Sequence, residues 1–382
     1  MILNDQQTMI RDMARAFAQD KLAPKAADWD KSHYFPKAEL HEMGKLGFLG
    51  ITVPEEWGGA GADAVSMAAI LEEIAAGDAG TSTVVSGHNS VACMPIAQFG
   101  TPLQKERFLR PLARGEWLGG FALTEAHGGS EAGALNTKAL RQGDHYVLNG
   151  MKQFITTGKH ADVIIAFAKT QPERGSKGIS AFIVPTGTPG YKVVRVESKM
   201  GQHSSDTCQI AFEDMILPAD LLLGKEGEGY RIALANLESG RIGIAAQAVG
   251  IARAAYEVAI QYAKERNVFG KPIIEHQAVG FRIARMASRI EAARQLVYHS
   301  AALKDAGRPC LMEACMAKLE ASETAEQVCS DAIQTLAGYG YLTDFPAERL
   351  YRDARVTKIY EGTNDIQHLV ILRELQKRAT QG

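Results

Sequence analysis

The C-terminal third of the chain contains two long stretches without helix breakers. Residues 274–305 hold one glycine and no proline, and residues 311–336 hold neither, while both are rich in alanine, leucine, methionine, glutamate and arginine. Glycine and proline are the residues least compatible with a helix interior, and the others have high helix propensity. Because helices of this length are stabilised mainly by burying an apolar face, the sequence from residue 229 onward predicts long helices packed as a bundle.

The middle of the chain has a different texture. Short runs rich in β-branched and aromatic residues follow one another, and glycine-containing stretches at 149–150, 175–178 and 188–190 predict the turns between them. The predicted strands are residues 146–149, 162–169, 179–185, 191–196 and 208–212. Since no long helical pattern separates them, an antiparallel sandwich or barrel is favoured over a doubly wound parallel sheet.

The first part of the sequence is mostly helical in pattern. Ile10, Met13 and Phe17 recur at helical spacing before Pro24. Further helical patterns cover residues 40–46, 64–76 and 102–112, and glycine-rich stretches at 58–61 and 77–81 predict turns. We therefore expect an α+β multidomain fold: an N-terminal helical domain (1–120), a central β-domain (121–225) and a C-terminal four-helix bundle (226–382).

Charge and composition exclude several classes of protein. The 382 residues carry 42 Lys and Arg against 44 Asp and Glu, and never more than two adjacent basic residues, so no basic stripe for nucleic acid is present. Apolar runs such as 163–168 are far shorter than the roughly 20 residues that span a bilayer, and residues 1–24 lack the apolar core of a signal peptide. Neither a membrane nor a nucleic acid is an expected partner.

The cysteine and metal-ligand patterns indicate neither a disulfide framework nor a metal site. The five cysteines are scattered without a C-x-x-C pair, which favours a reducing compartment, a bacterial cytoplasm with the mitochondrial matrix as the alternative. The spacing of His33, Glu39 and His41 suits no single helical face, so we assign no metal. The sequence also lacks G-x-S-x-G, H-E-x-x-H and P-loop motifs.

The most informative segment joins the helical and β regions and reads FALTEAHGGSEAG (residues 121–133). Its glycines and hydroxyls offer backbone N–H groups and polar side chains that suit a polar ring edge and a phosphate-bearing ligand. The segment resembles the A-L-[ST]-E-x-x-x-G-S-D signature of the acyl-CoA dehydrogenases, and departs from it at Glu131, where aspartate is usual. In that family it lines the flavin and the substrate thioester, which implies cofactor contacts from Phe121, Leu123, Thr124, Gly129 and Ser130, and a substrate contact from Ser130.

A second segment near the C-terminus, IYEGTNDIQ (residues 359–367), resembles the family's I-Y-E-G-T-x-x-I-Q sequence. The resemblance implies that Glu361 is the base that removes the α-proton of the acyl thioester and that its backbone N–H binds the thioester carbonyl. It also implies flavin contacts from Thr363, Asn364 and Asp365, and substrate contacts from Tyr360 and Gly362. This chemistry is reasonable because a weakly acidic C–H needs a carboxylate in a desolvated slot, where lost hydration raises its basicity.

Some members of the family carry the base on an earlier helix instead, directly before the arginine of a segment that matches LESGRIG (residues 237–243). In this chain that position is Gly240, and a glycine cannot act as a base. Glu361 is therefore the expected base, while Glu238 and Arg241 resemble acyl-CoA contacts.

Three further segments match the family. RNVFGKP (266–272) with Gln277 is similar to R-x-x-F-G followed by glutamine, QTLAGYGY (334–341) to Q-x-x-G-G-x-G, and FIT (154–156) to W-I-[TS]. Ala337 stands at a usual glycine and Phe154 at a usual tryptophan, which keeps the aromatic face and loses a donor. The family's 334–341 segment contacts the dinucleotide bound mainly by a neighbouring subunit. The implied cofactor contacts are Phe154, Ile155, Thr156, Arg266, Phe269, Gln277, Gln334, Leu336, Ala337 and Gly338.

Because these segments occur in the family's order over nearly the whole chain, it is identified as a member of the acyl-CoA dehydrogenases. The resemblance implies FAD, oxidation of an acyl-CoA to the trans-2-enoyl-CoA, an electron-transfer flavoprotein as acceptor, and a homotetramer built as a dimer of dimers. Residues 237–247, 291–307 and 204–208 look most like short-chain and short-branched-chain members. An oxygen-using acyl-CoA oxidase and a non-catalytic acyl-CoA-binding scaffold stay open as alternatives, as do the length and branching of the acyl chain.

Overall fold

The computed structural model describes residues 1–381. Its N-terminal helices are α1 (Asp5–Phe17), α2 (Ala26–Ser32), α3 (Lys37–Lys45), α4 (Ala64–Gly77), α5 (Ala79–Gly87), α6 (Met94–Phe99), α7 (Pro102–Gln104) and α8 (Arg110–Ala113). The strands are β1 (Gly119–Ala122), β2 (Lys138–Gln142), β3 (His145–Thr156), β4 (Val163–Lys169), β5 (Ile179–Pro185), β6 (Tyr191–Val196), β7 (Thr207–Pro218), β8 (Leu222–Leu223), β9 (Asn267–Val268) and β10 (Lys271–Pro272). The C-terminal helices are α9 (Gly229–Glu265), α10 (Gln277–Asp305), α11 (Leu311–Leu336), α12 (Ala347–Arg355) and α13 (Asn364–Gln381). The predicted order of helices, sheet and helices is confirmed.

The N-terminal helices follow the predicted pattern with one exception. The predicted turn over residues 77–81 is wrong, because Asp78 alone separates α4 from α5 and caps α5 by accepting the Thr81 N–H at 2.7 Å. A Cβ at Gly80 would lie 2.1 Å from the Ser204 hydroxyl oxygen. The glycine thus marks a close approach between α5 and a loop of the β region rather than a turn.

Strands β1 to β8 form one hydrogen-bonded sheet in the order β6-β7-β3-β2-β4-β5-β8, with β1 paired to β4. Most neighbours are antiparallel, as predicted, but β1 runs parallel to β4, and β2 joins β4 by a single parallel pair, Lys138 with Lys169. The proposed boundary between residues 120 and 121 falls inside β1, whereas the boundary at 225 falls between β8 and α9.

The predicted turn at Asn149–Gly150 is also wrong. Both residues lie inside the twelve-residue strand β3, at a shift in its register with β7. A Cβ at Gly150 would lie 2.4 Å from the Thr137 hydroxyl oxygen. The glycine therefore permits a bulge packed closely against the segment before β2, which is the second common meaning of a glycine within a strand pattern.

The C-terminal part contains four long helices, α9, α10, α11 and α13, with the short α12 packed against α11 and α9. The N-terminal α4 also packs on α9 and α10, and one hydrophobic cluster includes residues from both helical regions. A second cluster fills the β region and includes residues of α6 and α8. The two helical regions, which are separate in the sequence, therefore share a core.

Ala337, directly after α11, has φ 54° and ψ −128°, a conformation that residues with a Cβ rarely adopt. We expect Ala337→Gly to raise the free energy of unfolding by about 1 kcal/mol, after allowing for the greater entropy of glycine in the unfolded chain. Denaturant unfolding measures this change. Ala292→Gly, at an exposed helical position in α10, should lower stability by about 1 kcal/mol. A loss of stability in both variants would contradict the assignment of strain at Ala337.

Candidate active site

Glu361 lies in a tight turn that leads into α13. Glu361 and Gly362 both have left-handed backbone conformations, with φ of 54° and 87°. The Gln367 side-chain amide donates to the carbonyl oxygens of Glu361 (3.2 Å) and Gly362 (2.8 Å). Thr363 caps the helix by accepting the Ile366 N–H at 3.3 Å. The turn directs the Glu361 side chain towards α9.

The carboxylate of Glu361 packs directly against Gly240 of α9. A Cβ at Gly240 would lie 2.6 Å from Glu361 Oε1 and 2.9 Å from Oε2. The two positions at which the family places its base are therefore adjacent in space, and the glycine at one leaves room for the carboxylate at the other. Within residues 1–381, Glu361 Oε2 is shielded from solvent and has no hydrogen-bond partner.

Burial raises the pKa of Glu361 to about 7, because removing a carboxylate from water disfavours its charged form. The positive charges of Arg241 and Lys318 oppose this rise. A carboxyl group with a pKa near neutrality is suited to accept a proton and to release it again.

Arg241 follows Gly240 on α9 and is only 7% exposed, so it is not a surface charge. It donates to Cys315 Sγ at 3.4 Å, and its Nε has no partner among the described residues. Glu238, one turn earlier, accepts from Cys310 Sγ at 3.2 Å. Both predicted acyl-CoA contacts thus lie on the part of α9 that faces the start of α11, and Arg241 is close enough to Glu361 to lower its pKa.

Sequence reasoning missed Lys318 of α11, which is fully buried. Its ammonium donates to the Gly362 carbonyl oxygen at 2.8 Å and to Asn364 Oδ1 at 2.9 Å. The available signal was a lone lysine among the alanines of the apolar face of α11, all of which are buried: Ala314, Ala317, Ala321 and Ala325.

The Tyr360 hydroxyl is held by protein groups. It contacts Gln247 Oε1 and lies 3.3 Å from both Thr83 Oγ1 and Gln202 Nε2. These partners come from α9, α5 and the loop between β6 and β7. The predicted substrate contact by Tyr360 therefore does not use a free hydroxyl, and Tyr360 instead ties the base's turn to three other elements.

A second group of predicted residues lies where the segment after β1 meets the end of β3. Gln153 N donates to the Thr124 carbonyl oxygen at 2.9 Å, and the buried Lys152 ammonium donates to the Leu123 carbonyl at 3.1 Å and to Glu125 at 2.9 Å. Phe154 adopts φ 60° and is 63% exposed. These contacts hold the two segments side by side and leave an aromatic face uncovered.

This second group suits a flavin ring. Within residues 1–381 the hydroxyl groups of Thr124, Ser130 and Thr156 make no hydrogen bond, and Gly129 and Ser130 are exposed beside them. The open aromatic face of Phe154 can stack on a planar heterocycle. The unused hydroxyl groups can form hydrogen bonds with its polar edges. The remaining predicted contacts, Phe121 and Ile155, are half-buried and buried in the strands that support this surface.

One loop connects the second group of residues to Glu361. The Asp206 carbonyl accepts the Thr157 N–H at 3.3 Å, and Thr207 pairs with Thr156. In the same loop Gln202 contacts Tyr360, the residue before Glu361. The structure therefore brings together the segments around 121–130, 152–157, 238–241 and 360–365.

The other predicted cofactor contacts lie elsewhere in the chain. Arg266 directly follows α9 and is 26 positions after Gly240. At the rise of an α-helix this separation is about 39 Å along the helix axis. Near this end of the bundle, Arg282 of α10 contacts Thr335 of α11 at 3.4 Å. Arg266, Phe269, Gln277, Gln334, Ala337 and Gly338 are exposed there, while Leu336 is buried. One copy of the chain thus carries two separate sets of predicted cofactor contacts.

Three family models match this chain: acyl-CoA dehydrogenase N-terminal domain over residues 4–116, middle domain over 120–215 and C-terminal domain over 227–376. The chain belongs to the acyl-CoA dehydrogenase family and is an acyl-CoA dehydrogenase of the short-chain type. Members of this family are FAD flavoproteins, so the expected fold, enzyme class and cofactor are confirmed.

Individual relatives are similar over almost their whole length. An acyl-CoA dehydrogenase of Bacillus subtilis is 50% identical over 98% of this chain and 99% of its own. The mitochondrial short-chain specific acyl-CoA dehydrogenase of Rattus norvegicus is 46% identical over 98% of this chain and 90% of its own.

Solved structures are also similar to this chain over almost its whole length. Butyryl-CoA dehydrogenase from Megasphaera elsdenii is 43% identical with a TM-score of 0.96, over 98% of this chain and 99% of that one. A chain in a structure of the electron-transferring flavoprotein of Acidaminococcus fermentans is 47% identical with a TM-score of 0.97, over the same shares of the two chains.

Two features are absent from residues 1–381. None of the helices in this range is both long and apolar enough to cross a membrane. The same residues contain no cluster of three or more His, Cys, Asp or Glu side chains placed to hold a metal ion.

Proposed function

We propose that this enzyme oxidises a short-chain acyl-CoA at Cα and Cβ to the trans-2-enoyl-CoA, with Glu361 as the base. The observation that carries the proposal is the carboxyl of the half-buried Glu361, whose Oε2 is shielded from solvent without a partner and whose pKa is raised to about 7 by desolvation. Structural proteins rarely keep such a group, because an unpartnered buried carboxyl destabilises the fold unless it has a task.

The chain's own groups supply the proton chemistry. A carboxylate oxygen of Glu361 takes the α-proton, and burial strengthens it as a base. The Glu361 N–H has no acceptor within residues 1–381 and is available to the thioester carbonyl, which would acidify the α-proton. Thr124, Ser130, Phe154 and Thr156 are the groups that would hold the flavin ring. When bound, the flavin supplies the acceptor for the β-hydride.

The separation of the two sets of cofactor contacts supports a homo-oligomeric enzyme. Arg266 lies about 39 Å from Gly240 along α9. This distance supports the proposal that residues 266–277 and 334–338 contact a dinucleotide held by a second copy. We propose a homotetramer built as a dimer of dimers in which neighbouring subunits complete each FAD site.

We propose an electron-transfer flavoprotein as the electron acceptor, supported by the similarity to a chain of the Acidaminococcus fermentans structure. The substrate we favour is butyryl-CoA, supported by the Megasphaera elsdenii relative, and 2-methyl-branched substrates of similar size are tested beside it. All five cysteines are buried and free, which accords with a reducing compartment such as a bacterial cytoplasm or the mitochondrial matrix.

The visible absorption spectrum of the purified holoenzyme tests this function. We expect a yellow protein whose flavin absorption is bleached anaerobically by butyryl-CoA more rapidly than by 2-methylbutyryl-CoA or isobutyryl-CoA. Preferential bleaching by a branched substrate would move the enzyme to the branched-chain members. Rapid peroxide formation in air without an added acceptor would identify an oxidase, and a colourless protein that still binds acyl-CoA would identify a scaffold.

A further inference from the structure

The chain has two fully buried lysines with different partners. Lys152 forms a direct ion pair with Glu125 at 2.9 Å, which compensates its charge. Lys318 is equally buried, yet within residues 1–381 it forms no ion pair and donates only to the neutral oxygens of Gly362 and Asn364. A buried ammonium without a carboxylate partner is costly, so its retention calls for a reason beyond packing.

The bonds of Lys318 are made to the turn that carries the base. The Gly362 carbonyl receives two donors, Lys318 Nζ and Gln367 Nε2, each at 2.8 Å. Asn364 Oδ1 receives Lys318 at 2.9 Å and Ser322 at 3.1 Å. Consecutive left-handed residues such as Glu361 and Gly362 persist only where neighbouring groups fix them. Lys318 is therefore part of what determines the direction of the Glu361 side chain.

The charge of Lys318 acts on the same carboxyl. The charged groups that face Glu361 are Arg241 from α9 and Lys318 from α11, and both lower its pKa against the effect of burial. Burial lowers the pKa of Lys318 to about 8. Of the groups that face Lys318, Glu361 and Cys315 oppose this shift, whereas Arg241 and Lys358 add to it. The positive charge at 318 and the negative charge at 361 therefore stabilise each other.

We propose that Lys318 is a positioning residue for the base: its ammonium fixes the Glu361–Gly362 turn and favours the charged form of the Glu361 carboxyl. This inference rests on the proposed function, because it deepens the role of Glu361. Lys318 makes two contributions, a hydrogen bond and a charge. Gln367 donates to the same Gly362 carbonyl without a charge, so variants of the two residues separate these contributions.

The test uses two rates measured against pH on the FAD-loaded enzyme. One is the anaerobic reduction of flavin by saturating butyryl-CoA. The other is the loss of α-deuterium from 3-thiabutyryl-CoA into H2O, followed by mass spectrometry. The β-atom of this analogue is sulfur, which carries no hydrogen to lose, so the exchange reports proton transfer alone. Rates are normalised to flavin content.

We expect Lys318→Met to slow both rates by about 10- to 100-fold, the scale of a displaced catalytic group. We also expect it to move the pH midpoint upward, because removing a positive charge raises the pKa of Glu361. Gln367→Leu should slow both rates without moving the midpoint. Lys25→Met, which removes a lysine paired with Glu39 at 2.7 Å among the N-terminal helices, is the matched control and should change neither quantity.

Lys318→Gln keeps a hydrogen-bond donor without the charge, and it decides the question alone if Lys318→Met does not fold. It should shift the midpoint upward with a smaller loss of rate. A wild-type midpoint in the folded Lys318 variants would overturn the inference. If wild-type enzyme is not reduced by any acyl-CoA, the proposed function itself fails, so the two failures are distinguishable.

Discussion

Glu361→Gln is expected to leave the protein yellow and folded while its flavin is no longer bleached by butyryl-CoA on the time scale of mixing. Glutamine has nearly the same shape but cannot accept the α-proton. Removing a general base commonly lowers a rate by about 10²- to 10⁴-fold, and we expect the upper part of this range because the charged groups that act on Glu361, Arg241 and Lys318, are both cations. Anaerobic stopped-flow absorbance measures the effect.

The stability of this variant provides its control. Burial already disfavours the charged carboxylate at 361, since its pKa is raised to about 7. A carboxyl whose pKa is higher in the folded than in the unfolded chain reduces stability as the pH rises from about 4.5 to about 7. At pH 8 the neutral amide should therefore leave the free energy of unfolding equal or higher. Bleaching at the wild-type rate would refute Glu361 as the base.

Gly240→Ala is expected to lower the rate of flavin reduction by about 100-fold while leaving the fold intact. The new Cβ would lie 2.6 Å from Glu361 Oε1 and 2.7 Å from Cδ, closer than nonbonded atoms approach. Because these atoms form the end of a flexible side chain, the carboxylate moves aside at little cost to stability. A displacement of about 1 Å from the reacting atom is enough to lower a rate by about 10²-fold.

Helix propensity distinguishes a loss of activity in this variant from a loss of stability. Alanine is more favourable than glycine within a helix by about 0.8–1 kcal/mol, so stability should not fall while activity does. Gly87→Ala in α5 is the matched control, because its Cβ would meet no atom within 4 Å. That variant should keep the wild-type rate. Full activity of the Gly240→Ala enzyme would show that the Glu361 carboxylate does not lie against residue 240 during the reaction.

Local sequence pattern predicted secondary structure correctly where it was compatible with only one element. It predicted the role of individual glycines poorly. The breaker-free stretches 274–305 and 311–336 correspond to α10 and α11 because helix propensity and burial agree along them. The sequence predicts turns at Gly80 and Gly150, whereas in the structure each glycine leaves room for a side chain from another segment. A close approach between distant segments leaves no local signal, so those two turn predictions were wrong.

The family and the flavin follow from the sequence, and so does the proposal of Glu361 as the base, because they rest on motifs that carry particular side chains. The surroundings of Glu361 do not follow from the sequence. The contact between Gly240 and Glu361, the buried charge of Lys318 and the unpartnered Oε2 arise only when α9, α11 and the turn before α13 meet. Solvent exclusion and charge proximity depend on three-dimensional distance, and they determine the pKa of the Glu361 carboxyl.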